Sequence, residues 1–145
     1  AVVLAYAART VRRNDDWSRR DSFYSAMVRD NPSGAKGHYG LGTVIVHHPA
    51  TQEKGVWHLK EAHRLQPSHF DSISDLAAFY HQKGDFATAQ PLFERALEIK
   101  PEHSAALNNL GLNHLALGEW EQAFMTFDKA VEMFPDSAEF YNSMG

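Results

Sequence analysis

Nine histidines and no cysteine bound the chemistry this chain could attempt. Without thiols, disulfides and thiolate zinc sites are excluded, and metal ligation would fall to imidazole and carboxylate. The spacing does not favour it. His47 and His48 are adjacent and cannot readily chelate one ion together. His58 and His63 are five apart on a helical pattern, about 140° around the axis, so they miss the shared face that i,i+4 ligands need. Glu61, three on from His58, would complete only a pair. The serines stand at expected helix starts and ends, as Ser104 and Ser137 do, where capping accounts for them. No glycine-rich phosphate loop is present. These residues predict no catalytic group, no metal and no cofactor in this chain, and they turn attention to side chains that bind.

Side chains that bind must be held by rigid elements, and the clearest lie in Ser104 to Ser137. Two amphipathic helices are expected there, with a Gly-Glu turn between them and a Pro stop after the second. Leu107, Leu110, Gly111 and His114 share one face of the first helix; Trp120, Ala123, Phe127 and Ala130 share one face of the second. Gly111, Ala123 and Ala130 would let the backbones approach while Leu110, Trp120 and Phe127 fill the space beside them. The order Leu107-x2-Leu110-Gly111-x2-His114, then Ala123-x3-Phe127-x2-Ala130 and Pro135, resembles the tetratricopeptide repeat (TPR), a helix-turn-helix unit of about 34 residues. His114 stands where that family usually has Tyr. The resemblance implies an all-α fold: helix pairs stacked into a right-handed superhelix, an α-solenoid, whose first helices line a concave face.

One period earlier, 70–103 repeats the order with Ile73, Leu76, Ala77 and Tyr80, then Phe86, Ala89, Phe93, Ala96 and Pro101. Gly84 and Gly118 are expected at positive φ in the inter-helix turns, and Asp85 is placed to cap a helix. Pro91 falls inside that helix and should bend it. Residues 35–69 are looser: Leu41-Gly42 keeps the Leu-Gly slot, and Gly55, Leu59, Ala62 and Pro67 follow. One extra residue separates Gly42 from Gly55, and the turn from His47 to Thr51 is expected to absorb it. Residues 1–34 form a degenerate unit whose first helix would run from Val2 to Arg13. In it Trp17, Tyr24 and Pro32 fall where Trp120, Phe127 and Pro135 fall. Residues 138–145 read as the opening of a further repeat, so the chain is expected to be a piece of a longer protein.

At 43% apolar and 22% charged residues the composition is that of ordinary globular material, so disorder is not expected. No run reaches the roughly 18 apolar residues of a membrane span. The net charge of −4 divides unequally. Residues 1–69 carry 10 Lys/Arg against 6 Asp/Glu, for +4, and 70–145 carry 4 against 12, for −8. A bipolar surface of this kind disfavours nucleic acid.

The least regular unit carries a second resemblance. Ala8-Arg9-Thr10-Val11-Arg12-Arg13-Asn14-Asp15-Asp16-Trp17, with Phe23, Asn31-Pro32, Ala35-Lys36 and His38-Tyr39 after it, is similar to a particular junction. In the transmembrane-and-TPR O-mannosyltransferases and their bacterial relatives, the last membrane helix meets the first TPR there. Arg13, Asn14 and Trp17 fit that family's motif. The resemblance implies a membrane anchor upstream of Ala1 and repeats on the lumenal or periplasmic side. Arginines after an apolar stretch suggest the cytoplasm instead. The family's catalytic residues lie in its membrane part, and no position here can receive them.

The side of each first helix opposite its packed stripe gives the groove candidates: Lys36, Tyr39, Thr43 and Val46; Asp71, Ser74, Ala78 and His81; Ala105, Asn108, Leu112 and Leu115; and Glu139 and Asn142. Asn109, just before Leu110-Gly111, fits the asparagine ladder of the O-GlcNAc transferase array, which the other repeats lack. His81 would make the groove's charge depend on pH. A clamp for a C-terminal carboxylate is disfavoured, since only Lys36 is basic among these positions and the second half is acidic. The expected partner is an extended protein or peptide segment, which Leu112 and Leu115 on an otherwise exposed face favour over the alternative of a scaffold with merely solvated faces. Two functions follow: the repeat portion of a membrane-bound glycosyltransferase presenting polypeptide acceptors, or an adaptor with no enzyme attached. The unfinished C-terminal repeat also predicts self-association at that end.

Overall fold

A computed structural model describes residues 20–135. Every regular element among them is an α-helix. The chain divides into two compact units, Ala1–Pro67 and Ser68–Gly145. The first contains α1, described over residues 20–30, with α2 (Ala35–Ile45) and α3 (Gln52–Leu65); the second contains α4 (Phe70–Gln82), α5 (Phe86–Ile99), α6 (Ser104–Leu117) and α7 (Trp120–Met133). The expected helix from Val2 to Arg13, the junction residues Arg13, Asn14 and Trp17, and the partial repeat with Glu139 and Asn142 lie outside the described residues.

Each pair, α2/α3, α4/α5 and α6/α7, is a helical hairpin locked by a large side chain over a small one. A Cβ on Gly111 would lie 2.5 Å from the Phe127 ring, and one on Gly42 would lie 2.8 Å from Leu59 Cγ. In the middle pair Ala77 and Phe93 are both fully buried in one cluster. The small residues at 42, 77 and 111 therefore face the knobs at 59, 93 and 127, and the backbones come close enough to exclude water. In α2/α3 the approach is tighter still, because a Cβ on Gly55 would meet the backbone of Val46 at 2.5 Å. Tyr24 of α1 covers Gly40 in the same way.

The turns follow from the same economy of space. Gly84 and Gly118 have φ of 77° and 75°, the left-handed conformation expected of them. The longer turn after α2 has no glycine, and the Thr51 hydroxyl closes it by donating to the Ile45 carbonyl at 2.9 Å. Asp85 caps α5, accepting from the Thr88 amide at 3.2 Å. The helix continues unbroken across Pro91 to Ile99.

Two expectations need correction. Trp120 does not fill the α6/α7 crossing: it is 69% exposed. Phe86 occupies the equivalent slot in α5 and is half-buried, with α6 packed on α5; no described helix follows α7. Ser104 is not a cap but the first residue of α6. His103 is the cap, its Nδ1 accepting from the Ala106 amide at 3.2 Å. One repeat earlier His69 Nδ1 accepts from the Ser72 amide at 3.2 Å, and Ser72 Oγ donates back to the His69 carbonyl at 2.9 Å. Imidazole thus does the work that hydroxyl or carboxylate usually does at a helix start.

Replacing Ala130, fully buried where α7 crosses α6, tests the register. Ala130→Leu should overpack the crossing and cost about 1–3 kcal/mol. A chemical-denaturation midpoint equal to wild type would show that this slot is not at the crossing.

Candidate functional site

Within the second unit α4 and α6 lie side by side, and one side chain joins them. Asn113 is fully buried. Its Nδ2 donates to the Phe86 carbonyl at 3.0 Å, so its Oδ1 is left to accept from His81 Nδ1 at 3.0 Å. One amide therefore ties the end of α4, the start of α5 and the middle of α6 together, and both of its polar ends are satisfied. The His81 ring also meets Phe86 and Phe93 edge-on, with centroids 5.1 and 6.2 Å apart. His81 is consequently part of the contact between repeats as well as of their surface. At the far end of α6, buried His114 reaches Glu119 through Nδ1 at 2.7 Å, fastening α6 to the turn that starts α7.

The groove candidates of this unit fall on two levels. Asp71 and Ala105 are exposed, while Ser74, Ala78, His81, Asn109, Leu112 and Leu115 are half-buried. Asn108 is buried with a bonding partner of its own, so its amide is a wall of the site more than an open hook. Leu112 and Leu115 pack partly against the core cluster of Leu107, Ala123, Phe127 and Ala130 and keep the rest of their surface outward. In the first unit Lys36 is exposed and Tyr39 and Thr43 are half-buried, the Thr43 hydroxyl being turned onto the Gly40 carbonyl at 3.0 Å. Val46 is misplaced as a groove residue. It is 3% exposed because its backbone lies under Gly55. Asn142 lies outside the described residues.

The first unit holds a histidine pair that spacing along one helix does not reveal. His38 of α2 and His58 of α3 face each other through Nδ1 atoms 3.0 Å apart, and His38 Nε2 lies 3.0 Å from the Pro32 carbonyl. A carbonyl only accepts, so His38 donates to it from Nε2, and His38 Nδ1 accepts from His58 Nδ1. The Trp57 ring packs on both imidazoles, at 5.6 and 4.8 Å between centroids. Burial, and then the repulsion that two protonated imidazoles at His38 and His58 would exert on each other, hold the His58 pKa below its ordinary value, against the pull of Glu61. Glu61 is engaged by Arg64 at 2.8 and 2.6 Å. Among the described residues no three His, Asp or Glu side chains converge as metal ligands, and no helix is long and apolar enough to cross a membrane.

Residues 70–136, which comprise this α4–α7 unit, match the tetratricopeptide repeat family. They are tetratricopeptide repeats. The chain is 27% identical over 75 residues, 52% of its length, to the human protein O-mannosyl-transferase TMTC1, and 28% identical over the same length to the mouse protein. It spans only 8% of each of those relatives. The likeness to TPR-bearing O-mannosyltransferases is thus present in sequence. Solved structures of MamA share the fold. A form of MamA from Desulfovibrio magneticus RS-1 beginning at its residue 41 superposes with a TM-score of 0.79 at 16% identity, covering 98% of this chain and 80% of that one. A further MamA crystal structure gives 0.80 at 18% identity, over 92% of this chain and 77% of that one.

Two measurements follow. The lowered His58 pKa means the unfolded chain binds the extra proton more readily, so this contribution to stability is complete above about pH 6.5 and is lost as pH falls below it. The thermal midpoint should fall between neutral pH and pH about 5, and His58→Gln should flatten that fall; parallel curves would contradict the assignment. Asn113→Ala, which strands His81 Nδ1 and the Phe86 carbonyl, should cost about 1–3 kcal/mol in urea, and no change would dissolve the tie.

Proposed function

We propose that this TPR chain holds an extended polypeptide segment against the α4/α6 face. Its repeats are a protein-interaction scaffold, as the family assignment supports. The observation that carries the finer reading is the buried Asn113 bridge, which makes α4 and α6 one rigid wall. That wall carries the half-surfaced leucines Leu112 and Leu115 beside Ser74, Ala78 and Asn109. A preorganised face of this kind loses little entropy on binding, and leucines left half outward gain by being covered. The acidic charge of 70–145 favours peptides that are not themselves acidic.

The parent molecule, on this reading, is a membrane-bound glycosyltransferase, and the repeats present polypeptide acceptors to a catalytic site elsewhere in it. The similarity to protein O-mannosyl-transferase TMTC1 supports this, as does the junction motif at Arg13, Asn14 and Trp17. The alternative, a TPR adaptor assembling a complex with no enzyme attached, shares the same binding face.

Peptides selected for binding to the wild-type chain should bind Leu112→Asp at least about tenfold more weakly, with the unfolding midpoint unchanged. Equal affinity would remove the α4/α6 face from the account. In the full-length protein, deleting these repeats should lower glycosyl transfer to polypeptide while sparing transfer to a small acceptor. A parent with no transferase activity would leave the adaptor.

A further inference from the structure

The two units differ in more than charge: among their exposed apolar side chains, Trp57 of the first and the Met125-lipped cleft of the second are complementary features. In the first unit Trp57 is 56% exposed on α3. Its ring is braced from behind by His38 and His58, so its orientation is fixed before any partner arrives. Exposed Lys54 and Lys60 stand one turn to either side of it. An indole that is held rigid, outward and flanked by cations has the character of an interface anchor.

In the second unit α5 and α7 stand apart over α6 and leave a cleft of about 500 Å3. Leu97, Leu107, Leu110 and Pro101 form its floor. Glu94 and Glu98 line one wall, and Met125, Thr126 and Lys129 line the other. Met125 is 65% exposed at the lip, a polarizable side chain that adapts well to an aromatic ring. Gln90 donates to Glu94, and Arg95 pairs with Glu98, yet both carboxylates remain at the surface. The unit around the cleft carries −8 and the unit around Trp57 carries +4.

We propose that Trp57 of one copy seats in the α5/α7 cleft of a second copy. The indole covers the leucine floor against Met125, and Lys54 and Lys60 approach Glu94 and Glu98. Opposite net charges steer the encounter, and the apolar seat fixes it. The contact joins two different surfaces, so it is heterologous: each copy keeps one free tryptophan or one free cleft, and chains of copies grow head to tail. This surface is distinct from the α4/α6 face, and the inference does not depend on what that face binds.

Sedimentation equilibrium of the 145-residue protein tests it. Wild type should associate with concentration at low ionic strength and less so at high. Trp57→Ala alone, or Glu94→Lys with Glu98→Lys, should weaken association at least about tenfold. Leu112→Asp should leave it unchanged. Mixing decides the geometry, because the tryptophan variant keeps its cleft and the cleft variant keeps its tryptophan. Together they should form a one-to-one complex that neither forms alone. Met125→Lys, at an exposed site, gives a cleft variant whose folding is not in question. A wild type that stays monomeric at low salt, variants that associate like wild type, or a mixture that forms no complex would each overturn the proposal.

Discussion

The approach of two helices to within the thickness of a missing side chain is the constraint on which the rest depends. Gly111 under Phe127, Ala77 beside Phe93 and Gly42 under Leu59 set the depth of each hairpin. That depth decides which residues are left facing outward. Because the approach recurs one period apart in the second unit, α4 and α6 present corresponding faces side by side. A larger residue at any small slot would push a hairpin open and tilt its outer face with it.

Packing alone leaves neighbouring hairpins free to slide, and the polar contacts remove that freedom. Asn113 takes its two partners from the preceding repeat. His69 and His103 fix where α4 and α6 begin, and His114 with Glu119 fixes where α6 hands over to α7. In the first unit the His38–His58 pair does for α2 and α3 what the others do between repeats. Most of these links use imidazole. His38, His58, His69, His81, His103 and His114 serve as joints, caps and braces.

The small and large slots are legible in the sequence because side-chain volume alternating at a fixed period has one main physical cause, the close crossing of two helices. Positive φ at Gly84 and Gly118, the Asp85 cap and the absorbed insertion before Thr51 are legible for similar reasons. Trp120 misleads because its slot is filled only by a neighbouring helix, a circumstance its own repeat cannot announce. Val46 misleads because the α2/α3 crossing is so close that Gly55 sits on its backbone. Asn113 is hidden because its partners lie 27 and 32 residues away. The caps leave a usable signal: His69 and His103 stand one full repeat apart, each three residues before the amide it caps. His38 and His58 leave none, since their meeting depends on the angle between two helices.

A rigid α4/α6 wall that receives polypeptide is the central claim, and mapping amide shifts by NMR tests it most directly. On titration with a peptide selected against the wild-type chain, the largest shifts should gather on Ser74, Ala78, Asn109 and Leu112, with the hydrogen-bonded Asn113 side-chain amide unmoved. Shifts gathered instead on α5 and α7, or a loss of the Asn113 bond on binding, would contradict it.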